Sequence, residues 1–179
     1  MKKEHKKIVI TGGPGTGKTT LIEDLKGREY TCLPEISRQV TLKAREEGIE
    51  QLFLEDPLLF SKKLLEGRTM QYHEASRLQA DPVFFDRGIP DVVAYLDYIG
   101  DEYPDWFSEP CKVFRYDTVF LLPPWEDIYR SDSERYENYE QASLIHDHLE
   151  KTYKRFGYNL LEVPKDSVSQ RIEFILDNL

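Results

Sequence analysis

The stretch Thr11-Gly12-Gly13-Pro14-Gly15-Thr16-Gly17-Lys18-Thr19-Thr20 constrains this chain more than any other. It contains G-x-x-x-x-G-K-[ST], the spacing of a phosphate-binding loop. Gly12 and Gly17 let the backbone turn and approach phosphate oxygens closely, because no side chain intervenes. The N–H groups between them form an anion nest. Lys18 reaches the β- and γ-phosphates as a mobile point charge. The Thr19 hydroxyl is a ligand for Mg²⁺, a hard cation that prefers oxygen. The helix expected next adds its positive N-terminal dipole. The nucleotide-binding set read from this stretch is Gly12, Gly13, Pro14, Gly15, Thr16, Gly17, Lys18, Thr19 and Thr20.

The flanks agree with the motif. Lys7 to Thr11 is a short β-branched run that reads as a buried strand feeding the loop. Leu21, Ile22 and Leu25 follow at helical spacing, and Gly27 is a stop.

The chain has 179 residues, enough for one domain with a real core, 1–179. Its formal charge of −9 argues against a nucleic-acid groove, which needs a basic stripe. Cys32 and Cys111 stand far apart, in no metal spacing, and read as reduced thiols of a cytoplasmic protein. The basic N-terminus is followed only by Ile8 to Ile10 as an apolar run, too short for a signal peptide or a membrane span.

Further along, Tyr30 to Leu33 reads as a second strand ended by Pro34. Glu35 then sits at the carboxyl edge of the sheet, where ligands bind in open α/β folds. Arg38 shares a helical turn with it. A carboxylate complementing the dipole of its own helix is the competing reading of Glu35. Asp56-Pro57 starts a long helix running to about Gln79, with a loosening expected at Gly67. Val83-Phe84-Phe85 is a third strand ending in Asp86, the residue type that orders Mg²⁺ opposite a phosphate loop. Arg87 follows in place of the Glu that would activate water, and suits a pocket that steadies a phosphoryl group. On the helix from Pro90 to Ile99, Asp91 and Tyr95 share a face. They either line an acceptor pocket or form a satisfied surface pair. Asp101 to Cys111 is an irregular or short-helix excursion.

Thr118 to Leu122 is a fourth strand, stopped by Pro123-Pro124. The polar segment 125–139 that follows is where a lid over a nucleotide would lie. Its Arg130 and Arg135 could reach a transferring phosphoryl group, or could pair with Glu126, Asp132 or Glu134 on a surface loop. Ala142, Ile145, Leu149, Tyr153 and Phe156 form a helical stripe. A fifth strand at 159–163 and a last helix from Val168 complete the chain, and the loop 164–167 between them would lie near a nucleotide base. Strands alternating with helices imply an α/β architecture: a five-stranded parallel sheet covered by helices on both faces.

With those motifs in hand, the sequence resembles AAA-type ATPase-like domains related to ribosylnicotinamide kinase, within the wider group of nucleoside and nucleotide kinases. The resemblance rests on the phosphate loop, on Pro34-Glu35-Ile36-Ser37-Arg38, on Phe84 to Asp91 with Ala94-Tyr95, and on Glu162-Val163-Pro164 with Arg171-Ile172 and Phe174 to Leu176. It implies the three-layer P-loop fold with sheet order 2-3-1-4-5, ATP as donor, Mg²⁺ near Asp86, Glu35 near an acceptor hydroxyl, and a lid arginine. The reaction expected is phosphoryl transfer from ATP to a small, nucleoside-like molecule. The competing expectation is a nucleotide-dependent binding module with slow hydrolysis. A switch GTPase is disfavoured because Asn/Thr-Lys-x-Asp does not occur, and a remodelling ATPase because no Glu follows Asp86.

Overall fold

The computed structural model describes residues 5–129 and 137–179. The period-two alternation of the first strand decides how its two faces are covered. In β1 (Lys7–Gly12) Ile8 and Ile10 join one apolar cluster, and Val9 joins the other. The first cluster lies under α1 (Lys18–Gly27) and α8 (Val168–Asp177), through Leu21, Leu25, Ile172 and Ile175. The second is larger. It lies under α2 (Ile36–Glu46), α4 (Pro57–Ala75), α5 (Pro90–Ile99) and α7 (Tyr139–Arg155).

The remaining strands are β2 (Thr31–Leu33), β3 (Val83–Asp86), β4 (Thr118–Leu122) and β5 (Leu160–Glu162). All pairings are parallel and the order is β2-β3-β1-β4-β5, the order the resemblance implied. Register places the chemistry. Ile10 pairs with Asp86 and Leu33 with Phe85. The carboxyl ends of β1, β2 and β3 therefore deliver the phosphate loop, Glu35 and Asp86 to one edge of the sheet.

Local chemistry sets the helix boundaries. The Asp56 side chain caps α4 by accepting from Leu59 N at 3.0 Å, with Pro57 at the first position. Asn138 and Gln141 close a reciprocal capping box on α7. α4 runs unbroken through Gly67, contrary to the loosening expected there. A Cβ at that position would stand 2.6 Å from Ile36 Cγ2, so the glycine serves close approach of α2. The helix also stops at Ala75, short of Gln79. The short helix α3 (Leu52–Glu55) was not resolved by sequence pattern, while α6 (Glu109–Val113) begins within the 101–111 excursion, expected to be irregular or a short helix, and runs two residues past it.

Candidate active site

The phosphate loop is shaped so that side chains could not be added to it. Gly15 and Gly17 lie at φ +73° and +85°, the left-handed region. A Cβ on Gly12 would meet the Leu122 carbonyl at 2.9 Å, and one on Gly15 would meet the Tyr129 ring at 2.4 Å. Thr16 Oγ1 closes the turn by donating to the Gly13 carbonyl at 2.9 Å. Lys18 Nζ stands 2.6 Å from Asp86 Oδ1, in a half-closed setting. Burial and the nearby Arg87 charge push the Lys18 ammonium below its ordinary pKa, against the pull of Asp86 and Glu35. A polyanion at the loop would relieve both effects. Thr19 and Thr20 are exposed at the start of α1.

Beside this pair lies a buried ionic cluster. Glu35 accepts three hydrogen bonds: Oε1 from Ser37 N at 3.0 Å and Arg68 Nη2 at 3.1 Å, Oε2 from Arg87 Nε at 3.0 Å. It thus caps α2 and faces the two arginines at once. Burial alone would raise its carboxyl, but Arg68, Arg87, Lys18 and the Ser37 N–H outweigh burial and hold it well below the usual carboxylate range. Arg87 has φ +72°, a left-handed backbone unusual outside glycine. Its N–H is fixed by the Ile10 carbonyl at 3.0 Å, and from there the guanidinium reaches both Glu35 and Asp91.

Asp91 is not a surface residue. It is 5% exposed. Its carboxylate accepts from Thr11 Oγ1 (2.5 Å), Arg87 Nη1 (3.3 Å), Gly88 N (3.0 Å) and Tyr153 OH (2.5 Å). With both oxygens occupied, its work in this arrangement is to anchor Arg87 and the turn after β3. Tyr95 is half-buried, and burial pushes its phenol up to about 12.

A cavity of about 520 Å³ opens beside the ionic cluster and reaches the phosphate loop at Pro14; Lys18 and Asp86 are not among its lining. Its walls include Pro14 of the phosphate loop, Glu35, Arg68, Arg87, Asp91, Tyr95 and the α2 residues Arg38, Thr41, Leu42 and Arg45, with Phe53, Phe60 and Leu64 as the apolar side. The size and the mixed lining suit a small molecule. Arg38 is exposed at the mouth and has no partner among the described residues. A second cavity, about 880 Å³, lies among Tyr103, Lys112, Arg115 and Gly157. Those segments lead into β4 and β5, away from the edge that carries the loop. Arg130 and Arg135, the lid arginines expected from sequence, lie outside the described residues. Among the described residues no cluster of His, Cys, Asp or Glu has the form of a metal cage.

Two buried arginines were given no role by the sequence reading. Arg68, 3% exposed, falls on the α4 stripe Phe60, Leu64, Gln71, Ala75. Arg171, also 3% exposed, falls on the α8 stripe Val168, Ile172, Ile175. A charge set inside an apolar stripe was the available signal for both.

A parallel 2-3-1-4-5 sheet, a glycine loop after β1 and an aspartate at the end of β3 facing the loop lysine define the P-loop NTPase fold. The chain belongs to the AAA domain family, whose model matches residues 7–171. No curated protein sequence matches it. Among solved structures it is similar to deoxyadenosine kinase from M. mycoides with dCMP and dCDP bound (TM-score 0.73, 20% identity, 96% of this chain and 97% of that one). It is also similar to thymidylate kinase from Candida albicans (TM-score 0.69, 17% identity, 98% and 91%). A third is NadR protein in complex with NR (TM-score 0.68, 21% identity), of which this chain spans 50% while 97% of its own length is covered. At these identities the likeness is one of fold. No helix among the described residues is long and apolar enough to cross a membrane.

Proposed function

We propose that the chain is an ATP·Mg²⁺-dependent kinase that phosphorylates a small, nucleoside-like acceptor. The observation that carries this is the position of Glu35, Arg68 and Arg87. They line a small-molecule cavity that also reaches the phosphate loop at Pro14, and Lys18 lies within the field of both Glu35 and Arg87. The solved relatives named as deoxyadenosine kinase and thymidylate kinase support an acceptor of this class.

The residues present fit the implied nucleotide and metal: a loop whose glycines have no room for a Cβ, an ammonium held below its ordinary pKa by burial and Arg87, an exposed Thr19 with no partner among the described residues, and the Asp86 carboxylate. When bound, ATP·Mg²⁺ supplies the γ-phosphoryl group and a metal charge that neutralises its oxygens. The N–H groups of Gly13 and of Gly15 to Thr20, with the Lys18 ammonium, hold the phosphates. Thr19 and Asp86 hold the metal. Glu35 accepts a hydrogen bond from the acceptor and orients it, and Arg87, Arg38 and Tyr95 fix its position. A lid arginine of the segment 125–139, Arg130 or Arg135, would serve the phosphoryl group, and loop 164–167 borders the base. Rate then comes from positioning and electrostatics. The whole chain, 1–179, acts as one domain. Its free thiols at Cys32 and Cys111 suit the reducing, ATP-rich cytoplasm.

One observation favours a second kind of acceptor. A carboxylate already engaged by three donors and held far down in pKa is a weak proton acceptor. A nucleoside monophosphate needs no base, because its phosphate is already ionised near neutrality, with a second pKa of about 6. The test is ADP release from ATP·Mg²⁺ in the presence of nucleosides and, separately, their monophosphates. Stimulation by either supports the kinase reading. Equal slow release with every compound refutes it and leaves a nucleotide-dependent binding module.

Asp86 serves metal in this account. Asp86→Asn is close to isosteric but lacks the charge that attracts Mg²⁺. The expected result is a turnover drop of about 10²-fold or more, the scale of losing a preorganised electrostatic contact, with metal-free nucleotide binding kept or improved. A variant with wild-type Mg²⁺ dependence would remove Asp86 from the site.

A further inference from the structure

Arg171 is a buried cation with no counter-charge among the described residues. It projects from α8, 155 positions from the phosphate loop in sequence, and donates Nη1 to the Thr16 carbonyl at 3.0 Å. It is 3% exposed, and neither its Nε nor its Nη2 has a hydrogen-bond partner among the described residues. Its guanidinium carbon lies over the Trp125 ring, 5.5 Å from the ring centre. It also presses on the loop: a Cβ on Gly17 would stand 2.8 Å from Nη1. A buried charge left in this state costs stability. Burial alone lowers its pKa from the ordinary arginine value, with no carboxylate pulling the other way.

The contact with Thr16 has a directional consequence. The Thr16–Gly17 peptide is planar and trans, so its C=O and N–H point in opposite directions. Holding the Thr16 carbonyl toward α8 turns the Gly17 N–H away from α8. The N–H groups of Gly15, Thr16 and Gly17 find no acceptor among the described residues. These are the donors that a phosphate loop offers its ligand.

We propose that Arg171 is a positioning residue for polyphosphate binding, which turns the Gly17 N–H toward the phosphates and whose buried charge is balanced only when they arrive. The inference rests on the nucleotide-binding reading above. It adds that the last helix takes part in the nucleotide site. Stability and affinity are set against each other at this position: the arginine burdens the empty protein and favours the loaded one.

The test is melting temperature and ATP·Mg²⁺ affinity of the full chain for wild type, Arg171→Met and Arg171→Lys. Methionine keeps an unbranched stem and removes the charge and all donors. The expected result is an unliganded Arg171→Met protein that melts at the wild-type temperature or above, and binds ATP·Mg²⁺ at least about tenfold more weakly, equivalent to about 1.4 kcal/mol. Arg171→Lys, which keeps one donor and the charge, should recover part of the affinity. Wild-type affinity in the methionine variant overturns the proposal. So does a methionine variant that melts well below wild type or does not fold, because the arginine is then a stabilising strut. So does a lysine variant no better than methionine. Absence of any ATP-induced shift in wild type overturns the nucleotide reading itself, and this inference with it.

Discussion

Lys18→Ala removes the ATP-induced rise in melting temperature. For wild type, a nucleotide at 100 times its Kd adds about 2.7 kcal/mol. For a chain of this size that is a shift of roughly 5–10 °C, at about 2–4 °C per kcal/mol. Lys18 is the residue positioned for the β- and γ-phosphates, so the mutant should show less than about a third of that shift at the same concentration. The unliganded protein should change little. Burial and Arg87 together disfavour the Lys18 ammonium more than Asp86 and Glu35 favour it. Asp86 also remains within the field of Arg87 once the lysine is gone. Thermal unfolding with and without ATP·Mg²⁺ separates the two effects. Equal shifts in mutant and wild type would falsify the phosphate-loop assignment.

Glu35→Gln should produce the second large effect, a loss of acceptor phosphorylation of about 10²-fold, the scale of a misplaced reactant, with ATP still bound and slow hydrolysis retained. Gln can still accept from Ser37 and Arg68, but it leaves Arg68 without a carboxylate and Arg87 with Asp91 alone. Breaking a buried pair in this way costs about 3 kcal/mol, the low end of its usual range. The pH dependence has a definite sign. A carboxyl held below its unfolded value of about 4.3 stabilises the fold above that value, and loses the contribution as pH falls through the folded value. The folded value lies well below the usual range here. The stability gap between wild type and Glu35→Gln should therefore be full from neutral pH down to about pH 5 and close only in stronger acid. Urea titrations at a series of pH values measure it. A gap that opens only above neutrality would point to a different partner for Arg68.

Much of this arrangement could be read from the chain because it is local. The strand before Gly12, the strand ending at Asp86 and the proline after Leu33 announce themselves by pattern, and the parallel register then brings Glu35 and Asp86 to one edge. What could not be read depends on partners far apart in sequence. Arg68 meets Glu35 across 33 positions, and Arg171 meets Thr16 across 155. Helical periodicity identifies the face that is buried but not the acceptor that a buried charge will find there. Asp91 shows the same limit. Its spacing from Tyr95 suggested a shared face, but only the fold shows Tyr153 and Thr11 closing on its carboxylate. The single turn α3 fell below any periodic signal, being 4 residues long.

The central claim is that the phosphoryl group goes from ATP to a small organic acceptor. The direct measurement is the fate of the label when γ-labelled ATP·Mg²⁺ is incubated with the protein and a panel of nucleosides and nucleoside monophosphates. The account predicts label in a new organic phosphate, lost in Lys18→Ala and in Glu35→Gln. Label appearing only as inorganic phosphate, at a rate indifferent to every acceptor and unchanged by Glu35→Gln, would contradict it.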